Sequence, residues 1–194
     1  VENAIKQYRY DRDPREPLFA FKRCLVHFAV DNDLVYMTTR LAGKSTFFLP
    51  FNKGYENGAG NPLNPSGFKS AYLWEEVLQK ESLLQILAEF MLVSIERTTD
   101  EEGNEKEKET HIFPRYHQMD AVRNMVSHTK ENGAGHNYLI QHSAGSGKTK
   151  TISWLAHKLA GLHTLYSVKI FNTVVVVSDR RVIDKQLRDE VLQS

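Results

Sequence analysis

The alternation of apolar and polar positions divides the chain into two halves with different periods. Val1 to Tyr10 mixes the two classes and reads as the end of a helix. It stops at Asp11-Arg12-Asp13-Pro14-Arg15-Glu16-Pro17, because proline disfavours helix at the residue before it. Leu25 to Val30 and Leu34 to Thr39 are β-rich runs around the turn Asp31-Asn32-Asp33, which is a hairpin signal. Ser45 to Pro50 reads as a third strand after a turn at Ala42-Gly43-Lys44. Asn52 to Gly67 is rich in Gly, Asn and Pro and reads as a long loop. From Tyr72 to Met91 the period becomes helical: Leu73, Val77, Leu84, Leu87 and Met91 share a stripe, with a break expected near Lys80-Glu81.

Glu96 to Thr110 holds almost no apolar residues and reads as a solvated linker or strand-flanking loop. It divides the chain into residues 1–95, the segment 96–111, and residues 112–194. In the last part strand and helix alternate. Tyr116 to Thr129 reads as a helix, and Asn137 to Gln141 as a short strand. Lys148 to Leu162 reads as a helix with Ile152, Leu155, Ala156 and Leu159 inward. Thr173 to Val177 reads as a continuous apolar strand, and the chain turns helical again from Val182. An unbroken valine run fits a parallel strand buried on both faces. Such alternation predicts an α/β sheet with right-handed crossovers.

Composition narrows this little. Of 194 residues, 41% are hydrophobic and 25% charged, which suits a folded chain rather than a disordered one. A formal charge of +1 argues against a dedicated nucleic-acid module but allows one DNA-facing surface. The single cysteine, Cys24, excludes an internal disulfide and suits a reducing compartment, so a cytoplasmic protein is expected. Cys24 reads as a small buried hydrophobe. No apolar run approaches the ~20 residues of a membrane-spanning helix. The eight histidines show no paired zinc spacing. Both termini fall inside apparent helices, as expected of a piece of a longer protein.

The chemistry is concentrated in His142-Ser143-Ala144-Gly145-Ser146-Gly147-Lys148-Thr149, placed after Tyr138-Leu139-Ile140 and before a helix. Glycines there let backbone N–H groups turn inward around phosphate oxygens, and the helix N-terminus adds a favourable dipole. Lys148 is placed to reach the β- and γ-phosphates, and the Thr149 hydroxyl to ligate magnesium. His142 stands where the usual P-loop pattern begins with glycine. Gly43-Lys44-Ser45 spells a similar triplet, but it lies between two strands, opens no helix and reads as a hairpin turn. Upstream, Gln118 offers an amide that both donates and accepts, suited to reading an adenine edge. Downstream, Ser178, Asp179 and Arg180 follow the valine strand, where ligands of open parallel sheets bind, and could hold a nucleic-acid backbone. A capped helix start with solvated arginines is the plainer alternative for these three.

Together these residues resemble the restriction (R) subunit of type I restriction-modification enzymes. The resemblance covers nearly the whole chain: Leu49 to Gly54, Gly58 to Pro62 and Tyr72 to Glu75, then Ile112 to Ala121, Gln141 to Thr149 with Trp154 to His157, and Ser178 to Arg181 with Asp184 to Leu187. It implies the end of an α/β nuclease-type domain followed by the start of a RecA-like parallel-sheet P-loop domain. It also implies ATP-driven translocation of double-stranded DNA coupled to cleavage, with ATP and Mg2+ as cofactors. Modification and specificity subunits would be the partners. By resemblance Gln118 reads adenine, Ser143 to Thr149 hold phosphate and magnesium, and Ser178 to Arg180 touch DNA. Gln7 falls in the family's helix after the nuclease core, although Tyr10 stands three residues on from it rather than four. The acidic Asp-Glu-x-His motif and the second motor domain do not occur in these residues, so this stretch alone binds nucleotide at most. Two alternatives stay open: another P-loop NTPase, and a non-enzymatic interaction fragment.

Overall fold

The computed structural model describes residues 1–99 and 105–178. The chain divides into two compact units, Val1–His117 and a second beginning at Gln118.

In the first unit, α1 (Glu2–Lys6) runs into a π-helical turn over Gln7–Asp11, and Arg12 leaves it in an extended conformation. Strands β1 (His27–Val30), β2 (Val35–Thr38) and β3 (Leu49–Pro50) form an antiparallel sheet in the order β1-β2-β3. The β1–β2 hairpin pairs His27 with Thr38 and Val30 with Val35. Its turn is closed by Asp31, whose Oδ1 accepts from the N–H groups of Asp33 at 2.9 Å and Leu34 at 2.7 Å. The third strand is shorter than the apolar run, because Thr46 is tied into the preceding turn by Thr46 N–H to Gly43 O at 3.0 Å. Gly43-Lys44-Ser45 is that turn, and no helix follows it.

The Gly/Asn/Pro segment is a braced structure rather than a loose loop. Tyr55 and Gly58 exchange both backbone bonds, at 3.1 and 2.8 Å, and Glu56 and Asn57 between them have φ of 47° and 61°. Two left-handed residues in a row make a two-residue turn that matches the twist of the flanking backbone. Asn61 locks the base: its Oδ1 accepts from Lys53 N–H at 2.8 Å, and its Nδ2 donates to Asp33 O and to Asn52 Oδ1.

Behind this segment lies an aromatic core. Phe51 is 0% exposed and meets Phe28, Phe113 and Tyr116 at ring-centroid distances of 5.3, 6.1 and 5.9 Å. The Tyr72 hydroxyl donates to Phe51 O at 2.7 Å, and burial raises the pKa of that phenol.

The expected stripe along Tyr72 to Met91 is split. A π-helical turn over Leu73–Val77 buries Leu73 and Val77. Gln79 is then extended, with φ −63° and ψ 147°, before α2 (Lys80–Glu89) starts. That residue resets the helical phase, so α2 buries Ile86 and leaves Leu84 55% exposed, with Leu87 also at the surface.

The described parts of the charged segment expected as a linker or strand-flanking loop lie in an antiparallel ribbon, β4 (Leu92–Thr99) and β5 (Glu105–Ile112). The register sets Glu96 opposite Lys108 and Arg97 opposite Glu107. Backbone pairing of this kind forms a two-stranded ladder along the whole register. Its base is held by Lys22 Nζ to Glu109 Oε2 at 2.5 Å and by Thr39 Oγ1 donating to His111 O at 2.8 Å.

His27 sits buried between the rings of Tyr8 and Phe19, at 5.8 and 6.0 Å. Burial lowers its pKa below the usual imidazole value of about 6.5. The folded chain therefore binds fewer protons at this site than the unfolded chain in the window below that value. This contribution to stability is present above about pH 6.5 and is lost as the pH falls through the window. Urea unfolding midpoints at pH 7.5 and 5.5 should drop less in His27→Phe than in the unsubstituted chain. An equal drop in both would refute the assignment.

Helix α3 (Tyr116–Asn132), which from Gln118 onward belongs to the second unit, buries Gln118, Met119, Val122 and Thr129. Helix α4 (Lys148–Ala160) buries Thr151, Ser153 and Trp154, while Ile152, expected inward, lies outside. The large Trp154 sets the phase of α4. The parallel sheet expected here is not formed by the described residues: 137–141 and 173–178 have no strand pairing. Leu139 is 92% and Val177 87% exposed. A strand exists only through a ladder partner, and none of the described residues supplies one. No helix among the described residues is long and apolar enough to cross a membrane.

Candidate nucleotide site

Helix α4 is entered through a loop with two left-handed glycines. Gly145 has φ +70°, and Gly147, the N-cap, has φ +81° and ψ 34°. Side-chain-bearing residues rarely adopt these angles, so glycine is required here by backbone geometry. Within the loop, Ser146 N–H donates to Ser143 O at 3.3 Å. Ser143, Ala144 and Gly145 are exposed, Ser146 is buried and Thr149 half-buried. Space around Gly145 is open: a Cβ there would meet nothing within 4 Å.

The loop is folded onto its own lysine. Lys148 Nζ donates to His142 O at 3.0 Å and to Ser143 O at 2.7 Å. Both acceptors are uncharged carbonyls. A phosphate oxygen would offer the ammonium a charge-assisted bond roughly twice as strong.

Gln118 meets the loop at Gly147. It is 4% exposed, and its Nε2 donates to Gly147 O at 2.8 Å. The same carbonyl accepts from Lys150 N–H at 3.1 Å and Thr151 N–H at 3.4 Å, opening α4. Of the residues singled out from the sequence, Gln118, Ser143 to Gly147, Lys148 and Thr149 are thus drawn together at one helix N-terminus. Ser178 is described as half-buried, without regular structure. Asp179 and Arg180, proposed with it as a DNA contact, lie outside the described residues, as does the helix expected from Val182.

These residues fit a nucleotide polyphosphate. A helix N-terminus, two left-handed glycines, an open approach at Gly145 and one lysine supply the donors and positive potential that phosphate needs. The Thr149 hydroxyl, in the first turn of α4, is of the type that joins a phosphate-bound Mg2+. Among the described residues no group of three or more His, Cys, Asp or Glu side chains could hold a metal ion by itself.

The contact missed in sequence reasoning is the one between Gln118 and Gly147. Its only signal was the glycine itself: a Cβ on Gly147 would stand 2.5 Å from Gln118 Nε2.

Residues 117–194 match the profile of the SWI2/SNF2 ATPase family. No curated protein and no solved structure matches the chain. The second unit therefore carries a helicase-like P-loop ATPase region.

Proposed function

We propose that this helicase-like ATPase region opens the motor of an ATP-driven translocase of double-stranded DNA. The chain would belong to the R subunit of a type I restriction enzyme, where translocation is coupled to endonucleolytic cleavage. The observation that carries the nucleotide part is the loop from Ser143 to Thr149 wrapped at the start of α4, with Lys148 resting on two replaceable carbonyls. The restriction part rests on the order of motifs in the sequence, from Leu49-Pro50-Phe51-Asn52-Lys53-Gly54 to Ser178-Asp179-Arg180-Arg181.

In this reading, backbone N–H groups of Ser143 to Gly147 surround the phosphates. Lys148 trades the His142 and Ser143 carbonyls for phosphate oxygens, Thr149 holds Mg2+, and Gln118 faces the adenine side. Bound Mg2+ would neutralise charge on the terminal phosphates. Ser178, Asp179 and Arg180 would contact DNA, and modification and specificity subunits would choose the site.

A fluorescent ATP analogue with Mg2+ tests the nucleotide reading. The chain should bind it, and Lys148→Ala should weaken binding by tenfold or more, about 1.4 kcal/mol or above. Equal binding by both would remove Lys148 from the site. A helicase-type ATPase without nuclease activity is the second reading, favoured by the SWI2/SNF2 match. Duplex DNA that stimulates ATP hydrolysis by the intact subunit but is never cut would support it.

A further inference from the structure

We infer that Gln118 is a positioning residue for the phosphate loop, acting on its backbone independently of any base it meets. The inference rests on the nucleotide reading of the loop and concerns how that site is held in shape.

The argument starts from the peptide plane. The carbonyl of Gly147 and the N–H of Lys148 belong to one planar, trans unit and point in opposite directions. Gln118 Nε2 binds that carbonyl at 2.8 Å, closer than Lys150 N–H or Thr151 N–H. Fixing Gly147 O inward therefore fixes Lys148 N–H outward, off the N-terminus of α4, where a phosphate would sit. Lys148 N–H belongs to the first turn, whose donors have no partner inside the helix.

Two further observations make this contact specific. Gln118 is buried at 4% exposure within α3, so its amide is held in place rather than sampling solvent. Gly147 lacks the Cβ that would block it: an added Cβ would stand 2.5 Å from Nε2 and 3.6 Å from the amide carbon. The left-handed φ of Gly147 and the absence of a side chain both serve the same hydrogen bond. Loop positioning through Gly147 O is separable from contact with a base, because it needs only the phosphate end of a ligand.

The separation is tested with a ligand that has no base. Binding of inorganic tripolyphosphate and of ATP, each with Mg2+, should be measured on the chain, on Gln118→Ala and on Gln118→Met. Methionine keeps the length and buried volume but has no donor. If Gln118 positions the loop, both variants weaken tripolyphosphate by about fivefold, the equivalent of one ordinary hydrogen bond. ATP weakens at least as much. If Gln118 serves only the base, ATP weakens while tripolyphosphate stays unchanged, and the inference is overturned. Failure of the unsubstituted chain to bind either ligand overturns the nucleotide reading itself, and the inference with it. Amide exchange of Lys148 N–H gives a readout that does not depend on ligand: it should accelerate in Gln118→Met while exchange in the middle of α4 does not. Unchanged exchange at Lys148 in a folded variant would refute the positioning role.

Discussion

Gly147→Ala is expected to abolish nucleotide binding, with a loss of about a hundredfold or more. Two penalties act together. An alanine at φ +81° sits in the left-handed region, which costs about 1–2 kcal/mol. Its Cβ would also lie 2.5 Å from Gln118 Nε2, a distance at which something must shift. The atom met is the end of the Gln118 side chain, so the shift costs the hydrogen bond from its amide to Gly147 O. Gly145→Ala separates the two penalties. Its φ of +70° imposes similar strain, but no atom lies near the new methyl. It should weaken ATP binding by about tenfold, the backbone part alone. Replacing Gln118 together with Gly147 should recover part of the loss, because the collision is gone and the strain remains. Equal binding by the two single glycine variants would show that the Gln118 contact does not constrain the loop.

Phe51→Ala is expected to be the most destabilising single change in the first unit. Phe51 is fully buried, meets three aromatic rings within about 6 Å, and its carbonyl receives the Tyr72 hydroxyl. Truncating a phenylalanine in such a place removes its transfer free energy and leaves a cavity, about 3–5 kcal/mol together. The thermal midpoint should fall by upwards of about 10 °C. Phe47→Ala is the control: Phe47 is exposed at the surface, and its removal should change stability by no more than about 0.5 kcal/mol. A comparable fall in both variants would mean that the ring cluster around Phe51 is not the core of this unit.

Local chemistry was legible where a feature depends on a few consecutive residues. The hairpin around Asp31 follows from two β-rich runs and an acidic turn. The P-loop follows from its spelling, because left-handed glycines and a helix start are requirements of the backbone at those positions. The triplet Gly43-Lys44-Ser45 was separable from it for the same reason, since no helix follows.

Other features were decided by packing. Gln79 is extended and shifts the phase of α2, so the stripe continued through Leu84 and Leu87 turned outward and Ile86 turned inward. A break was expected near Lys80-Glu81, but one residue outside the helical well also rotates everything after it, and the stripe carried across the break does not register that rotation. The Glu/Lys segment pairs with β4 because alternation suits a ladder once a partner strand is present, whereas composition alone suggests solvent. The apolar runs at 137–141 and 173–177 express a need for burial, and need for burial does not specify a partner; among the described residues none pairs with them.

The amino-acid sequence by itself determined the loop chemistry, from Ser143 to Thr149, since φ, hydroxyl and ammonium belong to the residues themselves. Only the tertiary structure decided that Gln118, 29 residues before Gly147, gives its amide to that carbonyl. Backbone preferences extend over a few neighbours, while a hydrogen bond between distant residues is set by how α3 and the loop come together.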